Sequence, residues 1–258
     1  MEVRVLPPQP ALRPALTRDD ASTTDPGGRA LCGSIRTVKI AKALLLPYMA
    51  AVIAAAFLWP EPAQGFIGES SRIVFFHVPC AWTATLAFLV AAAYSVAYLA
   101  KRDLRYDDFA AAAVQLGLLF AVLALVTGSF FAKIMWGSYW NWDPRESSFL
   151  LLVFLYAAYL FLREAVDERE RRARMAAAYA LFAAVLMPFL TFVAPRITQS
   201  LHPQTVINPE GKILMDSPTK TVFFGGLLGF SALFVWMLSI TARVARLSRA
   251  IAPHQKKV

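Results

Sequence analysis

Six apolar blocks dominate this sequence, and each approaches the ~20 residues that a helix needs to cross a bilayer. The blocks cover residues 40–59, 73–100, 109–131, 147–162, 175–194 and 221–241. Buried helices of a soluble bundle would show polar stripes at the helical period, and these blocks show none. The chain is 58% hydrophobic and 17% charged, which is too apolar for an ordinary soluble domain. The sequence therefore predicts an all-α integral membrane protein with six transmembrane helices.

Lysine and arginine are distributed unequally between the two sides that six spans define. The side that carries both termini holds 20 of the 26 basic residues and 11 acidic residues, whereas the other side holds 6 of each. Because basic residues accumulate in cytoplasmic loops, both termini are predicted to be cytoplasmic. The net charge of +9 then reflects topology. No basic–aromatic interleaving typical of nucleic-acid binding is present, so we expect no nucleic-acid partner.

The ends of the chain differ in composition from the apolar blocks. Residues 1–39 are rich in Pro, Arg, Asp, Thr and Gly. They lack the apolar segment of a cleaved signal peptide, and they are predicted to form a disordered cytoplasmic extension. Residues 40–243 are predicted to form the six-helix membrane domain, and residues 244–258 a basic cytoplasmic tail.

Two common functions of membrane proteins find no support in the sequence. Ion- and proton-coupled transporters normally carry ionisable groups at mid-membrane, and no block has a charge in its middle. No G-x-x-x-x-G-K-[ST] motif is present, which argues against ATP hydrolysis by a P-loop.

The last span also carries a packing motif. The G-x-x-x-G from Gly225 to Gly229 favours a close helix contact there.

Two of the three histidines, His77 and His202, fall on the outer side of the predicted topology. Pro79 disfavours α geometry for the residue before it, so His77 is predicted at or just before the start of the second helix. The predicted topology has three outer loops, at residues 60–72, 132–146 and 195–220, and His202 belongs to the third. The pair is either a two-histidine metal site or two ordinary hydrogen-bonded side chains. His254, in the basic tail, is expected to be solvated.

The stretch "MWGSYWNWDPRES", residues 135–147, concentrates aromatic residues beside charges. If it is helical, Trp136, Tyr139, Trp140 and Asp143 share one face, and Trp142 points off that face. A short helix on the membrane surface would then present an aromatic platform. The alternative is an interfacial aromatic belt, but a belt spreads around a protein and does not gather in one loop.

The charged end of this stretch also has the pattern of a helix start. Asp143 is predicted as the N-cap of the fourth span and Pro144 as its first helical residue. Glu146 is predicted as the reciprocal partner of a capping box.

A flat, apolar ligand that carries a metal and carboxylates would account for these features together. Haem needs an apolar surface for its macrocycle and nitrogen ligands above and below its iron. The tryptophans offer the surface, and His77 and His202 offer the nitrogens. The propionates need cations, for which the outer-face candidates are Arg72, Lys133, Arg145 and Arg196.

The segments "RIVFFHVPCAW", "LVTGSFFAKIMWGSYWNWDPR" and "SLHPQT" resemble the CcmC family, the haem exporter proteins C of cytochrome c maturation. The resemblance runs from about residue 40 to residue 243. It implies haem b bound at the periplasmic face of the bacterial inner membrane, with His77 and His202 as axial iron ligands. The haem-binding segment that it implies comprises Trp136, Gly137, Tyr139, Trp140, Trp142, Asp143 and Arg145.

The resemblance also implies partners and a role. Haem would pass to a CcmE-like periplasmic haem chaperone. The chain would associate with membrane lipid, with the ABC transporter subunits CcmA and CcmB, and with a small CcmD-like subunit. On this interpretation the chain is not an enzyme, because it binds and transfers haem without making a covalent bond.

Two other functions remain open at this level. The segment "WDPRES" also resembles the signature of the haem-ligating synthetases CcmF and CcsA, which attach haem to C-x-x-C-H cysteines. Six spans and two outer histidines nevertheless favour CcmC. A structural membrane subunit with an aromatic belt and no ligand is the third possibility. The first 39 residues have no recognised counterpart in the family.

Overall fold

A computed structural model describes the backbone of residues 26–202, 213 and 215–255, and the side chains of residues 40–202, 213 and 215–248. Residues 1–25, which belong to the predicted N-terminal extension, lie outside the described part. Regular structure in the described part is entirely helical. The long helices are α1 (Pro26–Leu58), α2 (Val74–Lys101), α3 (Leu104–Trp136), α4 (Pro144–Glu164), α5 (Arg169–Pro188) and α7 (Ser217–Gln255). A 3-10 turn (Gly68–Ile73) precedes α2, and a π-helical turn (Phe189–Val193) and the short α6 (Ala194–Ile197) follow α5.

The prediction of six membrane-spanning helices is confirmed. The helical segments long and apolar enough to span are Ile40–Leu58, Gly68–Lys101, Leu104–Trp136, Pro144–Glu164, Arg169–Ile197 and Ser217–Ser248. Several helices continue beyond their apolar blocks, because backbone hydrogen bonding does not stop where the hydrocarbon stops. α1 already begins at Pro26, so its helix runs through the boundary predicted at residue 39.

The core lies among α2, α3, α4, α5 and α7 and is rich in alanine. Lipid tails are as apolar as side chains, so close packing of small residues contributes much to helix association in a membrane. A Cβ at Gly117 of α3 would lie 2.6 Å from Cε1 of Phe88 in α2, so only glycine fits there. The Phe88 ring in turn stacks on Tyr156 of α4, with centroids 3.5 Å apart.

α7 contacts α1 at the G-x-x-x-G motif through two side chains of α1, Tyr48 and Met49. The Tyr48 hydroxyl donates to the Gly225 carbonyl oxygen at 2.8 Å. A Cβ at Gly229 would clash with Sδ of Met49.

One end of the bundle brings together the sequence-predicted site residues. The end of α3 at Trp136, the start of α4 at Pro144 and the first turn of α2 lie there, and it is called the outer end below. At the opposite end, Arg163 of α4 forms a two-pronged ion pair with Asp107 of α3.

Candidate functional site

The tryptophan-rich stretch does not form the platform helix that its spacing predicts. α3 continues to Trp136, and Gly137 ends it with a φ of 80° and an N–H that donates to the Lys133 carbonyl oxygen at 3.1 Å. Glycine adopts this left-handed conformation without steric cost and commonly caps helices in this way. Residues 137–143 are therefore a non-helical connection from α3 to α4, and the shared helical face predicted for Trp136, Tyr139, Trp140 and Asp143 is wrong.

The aromatic side chains in and next to the connection differ in exposure. Trp136 and Trp140 are half-buried, whereas Tyr139 and Trp142 are exposed. Trp136 packs edge-on against Phe131, with ring centroids 5.6 Å apart, and its centroid lies 5.1 Å from that of His202. Trp140 packs edge-on against Trp142, at 5.9 Å. Tyr139 packs edge-on against Phe130 of α3, also at 5.9 Å.

Trp142 is the most exposed of these residues, with 78% of its surface accessible. Its φ is 56°, a left-handed conformation that costs a bulky residue ~1–3 kcal/mol. Such strain persists where the surroundings fix the backbone, and it is frequent at functional sites. Trp142 therefore combines an exposed indole ring with a strained backbone at the outer end.

Asp143 joins the connection to the segment that carries His202. Its carboxylate caps α4 as predicted, by accepting from the Arg145 backbone N–H at 2.9 Å. It also accepts from the Ser200 hydroxyl at 3.1 Å, from the Leu201 N–H at 2.6 Å and from Nδ1 of His202 at 3.0 Å. The Asp143 side chain is only 1% exposed.

Glu146 does not complete the predicted capping box. A reciprocal box requires Glu146 to accept from the backbone N–H of Asp143. Instead, Oε2 of Glu146 accepts from the Asn141 N–H at 2.9 Å, two residues earlier. Glu146 thereby fixes the connection ahead of the cap. The rest of the helix start matches the prediction, since Pro144 is the first residue of α4 and Arg145 follows it in the first turn.

The charge states of Asp143 and His202 follow from their surroundings. Burial raises the pKa of Asp143, but the N–H groups of Arg145 and Leu201 outweigh it and hold that pKa below its ordinary value. Burial lowers the pKa of His202, and the opposing charge of Asp143 does not restore it. At neutral pH the pair is thus a carboxylate and a neutral imidazole. Because a carboxylate only accepts, Nδ1 of His202 carries the proton and Nε2 keeps its lone pair.

His77 lies within the first turns of α2, so the prediction that it stands at or just before the helix start is wrong. Helical turns begin at Gly68 and continue through Pro79. Nδ1 of His77 lies 3.0 Å from the Ala124 carbonyl oxygen and 3.1 Å from Oγ1 of Thr127, both on α3. A carbonyl oxygen only accepts, so Nδ1 carries the proton here also, and Nε2 keeps its lone pair.

Gly128 has no side chain, and the space that this leaves on α3 is occupied by the His77 ring. A Cβ at residue 128 would lie 3.0 Å from Cε1 of His77, which is tighter than most packing contacts of a Cβ atom, and 3.5 Å from Nδ1. Each of the two imidazole rings is therefore held through Nδ1 and offers Nε2, the arrangement in which histidine ligates metals.

The four cations proposed for the haem propionates differ in their contacts. Arg72 donates to the carbonyl oxygens of Ala56 and Pro60, both at 2.8 Å, and pairs with Glu69. Its charge is thus used to fix the first outer loop. The side chains of Lys133 and Arg196 are exposed, and each donates to a backbone carbonyl oxygen of its own neighbourhood at 2.8 Å. Arg145 is half-buried in the first turn of α4.

Sequence reasoning missed the residues that hold the two histidines. Ala124, Thr127 and Gly128 are unremarkable within an apolar span, and only the packing of α2 on α3 brings them to His77. Ser200 and Leu201 adjoin His202 in sequence, yet nothing local indicates that Asp143 binds them. One local signal does indicate the observed conformation: Gly137 is a common helix C-cap residue, and it lies inside the stretch whose spacing suggests a helix.

Known proteins match most of the chain. A sequence model of the CcmC family, described as Heme exporter protein C, matches residues 28–257. The Heme exporter protein C of Bradyrhizobium diazoefficiens is 33% identical over 221 residues, which cover 83% of each chain. That of Escherichia coli strain K12 is 31% identical over 216 residues, or 80% of this chain and 82% of the relative. That of Rhodobacter capsulatus is 26% identical over 218 residues, or 84% of this chain and 89% of the relative.

Proposed function

The chain belongs to the CcmC family of haem exporter proteins, and from this premise we propose that it binds haem b at its outer end and delivers it for cytochrome c maturation. Haem here is cargo. In this proposal the outer end faces the periplasm of a bacterium, and the chain lies in the inner membrane. Haem passes to a CcmE-like chaperone, and the chain works beside the ABC transporter subunits CcmA and CcmB and a small CcmD-like subunit.

One observation supports haem as the ligand above all others. His77 and His202 come from segments far apart in sequence, yet both lie at the outer end, and both keep an unprotonated Nε2. Two imidazoles are the complete protein ligand set for an iron that brings four porphyrin nitrogens with it. We therefore assign His77 and His202 as the axial ligands.

The aromatic connection is suited to the macrocycle. Gly137, Tyr139, Trp140 and Trp142 lie on the connection from α3 to α4, and Trp136 lies at the end of α3, beside His202. Flat indole rings provide the apolar contact that a porphyrin needs, and the Trp142 ring is exposed where a ligand can reach it. Asp143 and Arg145 close this segment at the start of α4 and complete the proposed haem-binding set.

The proposed role is transfer without covalent chemistry. The relatives are named as exporters, and a protein that passes its ligand to a chaperone must release it. Axial bonds to neutral imidazoles are reversible, so haem held in this way can leave the chain. Because the printed name of the relatives describes export, the binding-and-transfer role is favoured over that of a cytochrome c synthetase.

Absorption spectra of the purified, haem-loaded protein test this proposal. We expect a low-spin, bis-histidine spectrum in the parent and its loss in the His77→Ala and His202→Ala variants. The double variant should be little worse than either single variant, because the two ligands act as a unit. His254→Ala is the control, since that residue lies in the C-terminal tail, and its spectrum should equal the parent's. A parent-like spectrum in either His77→Ala or His202→Ala would refute the assignment.

A further inference from the structure

Asp143 is buried far more deeply than its capping role requires. Asp103 provides the comparison within the same chain, because it caps α3 at the opposite end by the same bond, from the Arg105 N–H at 2.9 Å. The Asp103 side chain is 30% exposed, whereas that of Asp143 is 1% exposed. Removing a carboxylate from water is costly unless hydrogen bonds compensate it. Capping alone accounts for one such bond and leaves the burial of Asp143 unexplained.

The additional bonds of Asp143 all go to residues 200–202. Oδ2 accepts from the Leu201 N–H, and Oδ1 accepts from the Ser200 hydroxyl and from Nδ1 of His202. These bonds fix the backbone that carries His202, the rotation of its ring and its tautomer. Trp136 restricts the same ring from one side, with centroids 5.1 Å apart.

We propose that Asp143 is a positioning residue that aims Nε2 of His202 at the haem iron. This inference rests on the proposed function, because it takes His202 as an iron ligand. Asp143 therefore contributes to the proposed haem-binding set through His202 and not by direct contact with haem, since both of its oxygens already accept from protein donors. A carboxylate that accepts from the far nitrogen of a ligating imidazole also makes that imidazole a stronger electron donor. Asp143 thereby stabilises ferric over ferrous iron in the bound haem.

The variant that tests this inference is Asp143→Ser. Serine is a good N-cap residue, so the start of α4 is preserved. Its side chain is too short to reach residues 200–202 as well. Asp103→Ser is the matched control, because it makes the same change at the N-cap of α3, at the other end of the bundle. Both full-length variants are purified in detergent and titrated with haemin.

We expect Asp143→Ser to lower haemin affinity by about 10- to 100-fold, the usual effect of losing a partner of a metal-ligating histidine. Its spectrum should gain a high-spin fraction that added imidazole converts back to low spin. The reduction potential of the bound haem should rise, because the carboxylate no longer strengthens the imidazole. Asp103→Ser should match the parent in all three measurements.

A double variant separates positioning from a general structural role. If Asp143 acts only through His202, then Asp143→Ser/His202→Ala should bind haemin as His202→Ala alone does, within about twofold. The inference would be overturned if Asp143→Ser lowered haemin affinity as strongly in the His202→Ala protein as it does in the parent. So would a parent-like affinity, spectrum and potential in Asp143→Ser while His202→Ala loses its low-spin spectrum, although the proposed function would then stand. A parent-like spectrum in His202→Ala would instead refute the proposed function itself.

Asp143→Asn keeps the inference testable should the serine variant not accumulate in the membrane. Asparagine retains the N-cap, but it replaces one accepting oxygen with a donating amide and removes the negative charge. The reduction potential should again rise above that of the parent. A parent-like potential in this variant would overturn the inference.

Discussion

Breaking the ion pair between Asp107 and Arg163 should destabilise the helix bundle strongly. The Asp107 and Arg163 side chains are 5% and 15% exposed. Nη1 of Arg163 lies 2.5 Å from Oδ1 of Asp107, and Nη2 lies 2.9 Å from Oδ2. Nη1 of Arg163 also lies 3.4 Å from the Tyr159 hydroxyl. Arg163→Met removes the cation and leaves the Asp107 carboxylate buried without its charge partner.

The expected magnitude follows from that uncompensated charge. Breaking a buried pair by removing one partner costs ~3–5 kcal/mol, whereas replacing both partners with apolar residues is often neutral or stabilising. Arg163→Met should therefore lower the free energy of unfolding by ~3–5 kcal/mol, and Asp107→Leu/Arg163→Met should restore it. The pair joins the start of α3 to the end of α4, so it also constrains the two helices whose other ends hold the tryptophan connection.

Unfolding in mixed micelles of increasing denaturing-detergent fraction, followed by tryptophan fluorescence, measures these differences. Arg105→Met is the matched control, because it breaks an Arg–Asp pair at the same end of the bundle with side chains 72% and 30% exposed. Exposed pairs contribute little, so its unfolding curve should overlay the parent's. An equal curve for Arg163→Met, or a double variant no more stable than that single variant, would refute the reasoning.

Three further predictions concern the site and its orientation. Reporter fusions after Arg105 should read as cytoplasmic and fusions at Ser138 as external; the opposite reading at Ser138 would place the site on the wrong side. Gly128→Ala should keep or raise stability, since alanine favours a helix by ~1 kcal/mol, but haemin titration should show weaker binding because the new Cβ lies 3.0 Å from Cε1 of His77. Unchanged affinity would show that the His77 ring does not depend on that space. Trp136→Ala should lower haemin affinity by about 2- to 12-fold, the equivalent of an aromatic contact of ~0.5–1.5 kcal/mol, and membrane insertion should remain normal. Full affinity in that variant would favour the aromatic-belt interpretation.

The six spans were predictable because a bilayer fixes the length and polarity of any helix that crosses it. Helix ends were less predictable, since polar residues can extend a helix past the hydrocarbon. α3 begins at Leu104 and ends at Trp136, although its apolar block covers residues 109–131. Arg163 directly follows the fourth apolar block, where an arginine side chain can extend to water. No local pattern indicates that Asp107, 56 positions away, pairs with it.

The conformation of the tryptophan connection was predicted wrongly because two local signals competed. The spacing of Trp136, Tyr139 and Trp140 fits a helical face, and this periodicity predicts a platform helix. Gly137 gave the opposite signal, and the structure follows it, since the left-handed φ of 80° ends α3 at the residue before. Periodicity over eight positions is weak support for a helix when a glycine lies inside it.

The two histidines show where the limit of local reasoning lies. Residue type and predicted topology identified His77 and His202 as candidates, but a ligand is defined by the nitrogen that it offers. That choice depends on the partner of Nδ1, which is a carbonyl oxygen 47 positions away for His77 and a carboxylate 59 positions away for His202. One partner arises from the packing of α2 on α3, and the other from the contact of the α4 cap with residues 200–202. Both contacts are tertiary, so the availability of Nε2 on each ring is a property of the fold and not of either motif.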